Sequence, residues 1–99
     1  MLDIDFKSGN VIYNEFNIDF SKPLKLQIYN LNQDLLQVEY KNNYILDVGW
    51  SPDFDVNGSF IIYIIKDYNW GNYIYKRQCK DIEKLKKYIN QAVKYLENI

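Results

Sequence analysis

Apolar and polar residues alternate along most of the chain. Leu2, Ile4 and Phe6 alternate with Asp3, Asp5 and Lys7, the two-residue period of a half-buried strand, and Ser8-Gly9-Asn10 supplies a turn after it. A second strand is predicted over 11–20, with Phe16, Ile18 and Phe20 on one face and Asn17 and Asp19 on the other. Pro23 stops it, because proline has no amide hydrogen to give a ladder. Leu24, Leu26 and Ile28 predict a third strand, ended by the Asn30-Leu31-Asn32-Gln33-Asp34 turn, and residues 36–40 predict a fourth. Tyr44, Leu46, Val48 and Trp50 then share one face of a central strand. Residues 60–65 are apolar on both faces, as a strand covered on both sides would be. These two strands read as the middle of the sheet. A polar turn at 67–72 and a last strand over 73–80 complete it, with Tyr73, Tyr75, Arg77 and Cys79 on one face.

From there the period changes. Ile82, Leu85, Ile89, Ala92, Val93 and Leu96 recur at helical spacing behind Asp81, a good N-cap, so an amphipathic helix is predicted to the carboxy terminus. Strands in a run followed by one helix predict an α+β fold: an antiparallel meander of about six to seven strands with the helix packed on one face. The 99 residues suit a single domain, 1–99, with one core. No apolar run reaches the ~20 residues of a membrane helix, and Met1-Leu2-Asp3-Ile4-Asp5 lacks the basic start and apolar core of a signal peptide. A lone cysteine, Cys79, fits a reducing compartment. A cytoplasmic protein with no membrane partner is therefore expected.

The net charge of −1 conceals an imbalance. Residues 1–60 hold nine acids against four lysines, while residues 61–99 hold eight bases against four acids. An acidic half can steer a basic partner into contact; the plainer alternative is a solvated acidic sheet beside a solvated basic helix.

Absences narrow the chemistry. With no histidine, Ser-His-Asp and Cys-His nucleophile systems and histidine metal sites are excluded. One cysteine cannot build a thiolate zinc site, and the four glycines are isolated, so no phosphate-cradling loop exists. Carboxylate catalysis at Asp47, Asp53, Asp55 or Asp67 competes with the ordinary use of aspartate at strand ends and turns; no catalytic residue and no cofactor is expected. Asp53-Phe54-Asp55-Val56-Asn57-Gly58 opens like a calcium loop, but Ile64 stands where the closing glutamate belongs and strands flank it. The expectation is a hairpin loop without metal, in which Asp55 and Asn57 satisfy backbone donors and Gly58 takes a positive φ. A chain of pI ≈ 5.3 without a basic-aromatic motif is not expected to bind nucleic acid, despite Lys76, Arg77 and Lys80. Tyr44, Trp50, Tyr63 and Tyr88 fall at core positions, whereas Trp70, in a polar turn, reads as a partly exposed contact residue.

Asp47-Val48-Gly49-Trp50-Ser51-Pro52 leading into the Asp53–Gly58 loop, the apolar strand, Asp67 and Asn69-Trp70, closed by the helix, resembles small bacterial immunity proteins of polymorphic-toxin and contact-dependent growth inhibition systems. The resemblance covers about the second half of the chain. It implies a cytoplasmic protein that binds one cognate toxin carboxy-terminal domain, often a nuclease, and occludes its active site. The family fixes no contact residues, so the expected contacts come from the two loops. Asp47, Asp53, Asp55 and Asp67 are expected as charge partners, with Phe54, Tyr68 and Trp70 as apolar contacts; Asp47 equally fits a place beneath the helix. The alternative is a structural or adaptor protein without a toxin partner, a monomer or a weak homodimer joined through a strand edge.

Overall fold

The computed structural model describes residues 2–99, and its longest strands are β3 (Tyr44–Ser51) and β4 (Ser59–Lys66). They pair antiparallel over their whole length, from Tyr44 opposite Lys66 to Ser51 opposite Ser59. β2 (Leu36–Tyr40) flanks β3, β1 (Asn10–Asn14) flanks β2, and β5 (Tyr75–Cys79) flanks β4. Every pairing is antiparallel, so the sheet of five strands runs in chain order. The helix α1 (Ile82–Glu97) lies on one face.

The alternation of side chains explains this layering. Leu46, Val48 and Trp50 of β3 and Phe60, Ile62 and Ile64 of β4 share one core with Leu85, Ile89, Ala92, Val93 and Leu96 of α1. Trp50 meets Phe60 edge to face at 4.8 Å, and Phe16 and Phe20 extend the aromatic cluster. Asp81 caps the helix as expected, its carboxylate accepting the Lys84 N–H at 2.8 Å. Ile45 and Ile65 are buried on the opposite face, outside that core, while Ile61 and Tyr63 there are half-buried. Residues 60–65 are thus covered by α1 on one face, while on the other Ile61 and Tyr63 border the loop residues Gln33, Asp34 and Trp70. No helix among the described residues is long and apolar enough to cross a membrane.

Five strands replace the six to seven expected, and each difference has a local cause. Residues 2–6 keep their alternation in burial, with Leu2, Ile4 and Phe6 packed on the core and Asp3 and Asp5 exposed, yet they join no ladder. The Phe6 carbonyl accepts instead from the Tyr40 hydroxyl at 2.8 Å. Over 11–20 the ladder ends at Asn14, whose side chain accepts the Phe16 N–H at 3.1 Å and turns the chain toward the core. Residues 24–28 are not a strand. Two 3-10 turns over Leu24–Asn30 meet at a kink at Gln27. The Gln27 amide accepts from the Asp19 N–H at 2.9 Å and donates to the Asp19 carbonyl at 2.7 Å, the pair of bonds a neighbouring strand would have made. The last strand is also shorter than 73–80, since Tyr73 and Ile74 belong to the turn before β5.

Candidate functional site

The face of the sheet away from α1 carries a cleft, and Gly49 shows why it forms. A Cβ on Gly49 would lie 1.8 Å from the Gln33 carbonyl oxygen, so only glycine lets the chain pass this close. The Leu35 N–H donates to the Val48 carbonyl at 3.0 Å and the Trp50 N–H to the Asn32 carbonyl at 2.8 Å. Gln33 and Asp34 therefore arch over β3 between two points where the backbone is still paired. From the other end, the turn after β4 opens with positive φ at Asp67 (55°) and Tyr68 (58°), and the Asp67 N–H donates to the Asn43 carbonyl at 3.0 Å. Trp70 then reaches back along the face. Its indole N–H donates to Asp47 Oδ2 at 2.7 Å.

Between the arch and Trp70 lies a cleft of about 270 Å³, with Asp47, Gly49, Ile61 and Tyr63 among its lining residues. Asp47 is 7% exposed, and it is the one buried charged residue among those described. Its Oδ1 is buried with no hydrogen-bond partner. Burial pushes its carboxyl pKa up, and the negative charge of Asp34 adds to this; the Trp70 N–H and the amide of Gln37, directly opposite in register, oppose the rise. The arch also borders a second, shallower hollow of about 540 Å³, where Asp34 is joined by Glu15 and Asp53. Among the described residues, four carboxylates and no lysine or arginine line the two adjoining hollows.

The residues expected at a contact surface divide into two groups. Asp53, Phe54 and Asp55 sit in the β3–β4 loop, while Asp67 and Tyr68 sit beyond the other end of β3. That strand has eight residues, so the groups are roughly 25 Å apart at ~3.3 Å per residue. Trp70 and Asp47 lie between them. Asp47 does not sit beneath the helix, because its odd position in β3 turns it to the other face. In the β3–β4 loop, Phe54 takes the positive φ (59°), donates its N–H to the Leu31 carbonyl at 2.8 Å, and packs 5.9 Å from the Tyr29 ring. Asp55 accepts from the Asn57 N–H at 2.9 Å, as a hairpin loop requires. Gly58 does not take the expected positive φ. It is glycine because a Cβ would lie 2.6 Å from the Ser51 carbonyl oxygen and 2.7 Å from the Trp50 indole nitrogen. Tyr63, placed with the core from its position in β4, is instead half-buried at the cleft.

No family model matches this chain, and neither does a curated protein or a solved structure. What the site can do follows from its geometry. Among the described residues no group of three or more Cys, Asp or Glu side chains is placed to hold a metal ion. The cleft offers charge, one unmet acceptor and aromatic walls. Asp34, Glu15 and Gln33 were not legible as site residues from their own positions; the signal was Gly49, an isolated glycine inside a strand, which marks a close backbone approach.

Proposed function

We propose that this chain inhibits by binding: it is a cytoplasmic immunity protein that neutralises a cognate bacterial toxin domain, a nuclease, by occluding its active site. The observation that carries this is the pair of adjoining hollows with Glu15, Asp34, Asp47 and Asp53 and, among the described residues, no lining base. A nuclease must hold phosphates with basic groups, and an acidic surface of this kind is complementary to such a groove and speeds encounter with it. Trp70 at 40%, Phe54 at 47% and Tyr68 at 56% exposure supply aromatic area beside the acids, the residue type that anchors interfaces.

The test is to co-express the chain with the carboxy-terminal domain of the large secreted protein encoded beside it. A stable 1:1 complex together with rescue of growth supports immunity; the absence of both removes it. Asp53→Lys, at an exposed position, is expected to weaken the complex at least tenfold with little effect on folding. A homodimer without a toxin partner is the second possibility, favoured by β1, where Val11, Ile12 and Tyr13 are each more than 40% exposed. Light scattering that finds two copies, with no toxin complex, would establish it.

A further inference from the structure

We propose that the cleft between Trp70 and the Gln33–Asp34 arch receives one guanidinium group, an arginine side chain of the protein partner. This rests on the inhibitory-binding reading above and names the chemistry by which the partner is gripped. One oxygen of Asp47 is satisfied by the Trp70 indole at 2.7 Å; the other, buried in the lining of the cleft, has the Gln37 amide near it but, among the described residues, no donor in hydrogen-bond geometry. Buried carboxylate oxygens are nearly always paired, so an unmet one is a place where a donor fits.

Among the described residues, no lysine or arginine lines the cleft. The ion pairs among the described residues are Lys7 with Asp5 and Lys22 with Asp19, neither at the cleft. Lys76 lies over the rings of Tyr63 and Tyr73, 5.8 Å from each centroid, and does not line the cleft. At about 270 Å³, the space falls below the ~300–1,000 Å³ of pockets that enclose whole small molecules, and suits a single side chain. Two carboxylates are too few for a hard divalent cation, which takes ~6 or more oxygens. Guanidinium is preferred over ammonium because its flat fork of donors bonds carboxylates side by side while its plane rests on aromatic rings, here Trp70 and Tyr63. Because Oδ1 is buried, the entering group shifts the Trp70 indole.

That shift gives a local readout. Nitrogen-15-labelled protein is titrated with Nα-acetyl-argininamide against a sodium chloride control of equal ionic strength, following the indole N–H resonances of Trp70 and Trp50. Trp70→Phe assigns them. The Trp70 resonance is expected to move saturably while that of Trp50, bonded to the Asp55 carbonyl at 2.7 Å, stays. Asp47→Asn is expected to weaken binding at least tenfold, Asp34→Asn severalfold, and Nα-acetyl-lysinamide to bind more weakly than the arginine probe. A Trp70 resonance that does not move, or that moves equally with salt, with the lysine probe or in Asp47→Asn, overturns the proposal. The co-expression assay separates the two ideas: a complex that forms while the titration fails sinks only the guanidinium site. A titration that succeeds without any complex sinks the toxin reading instead.

Discussion

Replacing Asp47 with asparagine is expected to stabilise the free protein. Asparagine has the same shape, and its carbonyl oxygen can still accept the Trp70 N–H bond of 2.7 Å; what is removed is a charge at a residue only 7% exposed. A buried polar atom without a partner costs about 1–3 kcal/mol. The amide remains polar, so the expected gain at neutral pH is about 1–2 kcal/mol. At about 4–8 °C per kcal/mol for a domain of this size, Tm rises by about 4–16 °C. The pH dependence carries the sign. Burial raises the folded-state carboxyl pKa above its ordinary value, so the folded protein holds this proton more tightly than the unfolded chain. Between the unfolded value near ~3.9 and the raised one, this group's contribution falls as pH rises, and its full penalty applies above that window. The gap in Tm between variant and wild type is therefore widest at neutral pH and closes as pH falls through the raised value. Thermal unfolding followed by circular dichroism across the acid range measures it. A variant less stable than wild type at neutral pH, or a gap that does not change with pH, refutes the reasoning. The same substitution is expected to weaken guanidinium capture, so folding and binding move in opposite directions, as when a binding group is kept at some loss of stability.

Three further outcomes are expected. Gly49→Ala loses about 3 kcal/mol or more, because a backbone oxygen stands 1.8 Å from the new Cβ and the paired arch cannot retreat; urea unfolding reads this, and a loss under about 1 kcal/mol would contradict the arch. Asp81→Ala removes the cap on Lys84 N–H and lowers stability by about 1 kcal/mol in the same assay. Burial first, and the Asp81 charge second, push the Cys79 thiol up to about 11, so the folded protein resists disulfide-exchange reagents at mildly alkaline pH and reacts quickly only in denaturant. Fast labelling of the folded chain would show that the thiol is not enclosed.

The two middle strands and the helix were readable because each buries a face with a strict period. Leu46, Val48 and Trp50 on one side, and Leu85, Ile89, Ala92, Val93 and Leu96 on the other, are the residues that meet. The amino-terminal third was misread for a physical reason: alternation reports which side chains are buried, not whether the backbone has a neighbour to pair with. Leu2, Ile4 and Phe6 pack without a ladder, and a side chain, Gln27, takes over the bonds that would have made 24–28 a strand. The site was only partly readable because its central contact joins Asp47 to Trp70 across 23 positions. Local spacing says nothing about that. The arch of Gln33 and Asp34 was hidden in what read as a simple turn.

The two edges of the sheet are unlike. β5 carries Lys76 and Arg77, and the Arg77 guanidinium donates to the Lys76 carbonyl at 2.8 Å; β1 has no charged residue in Asn10–Asn14. Basic side chains discourage strand addition, and bare apolar edges invite it. A fibril needs two adhesive edges per copy, one to receive and one to offer. This sheet has one. Were two copies to join edge to edge, both open edges would be consumed and the basic β5 rims would face outward, so such an association would end at a closed pair. The lopsided placement of charge thus works against open-ended edge-to-edge addition of the folded sheet.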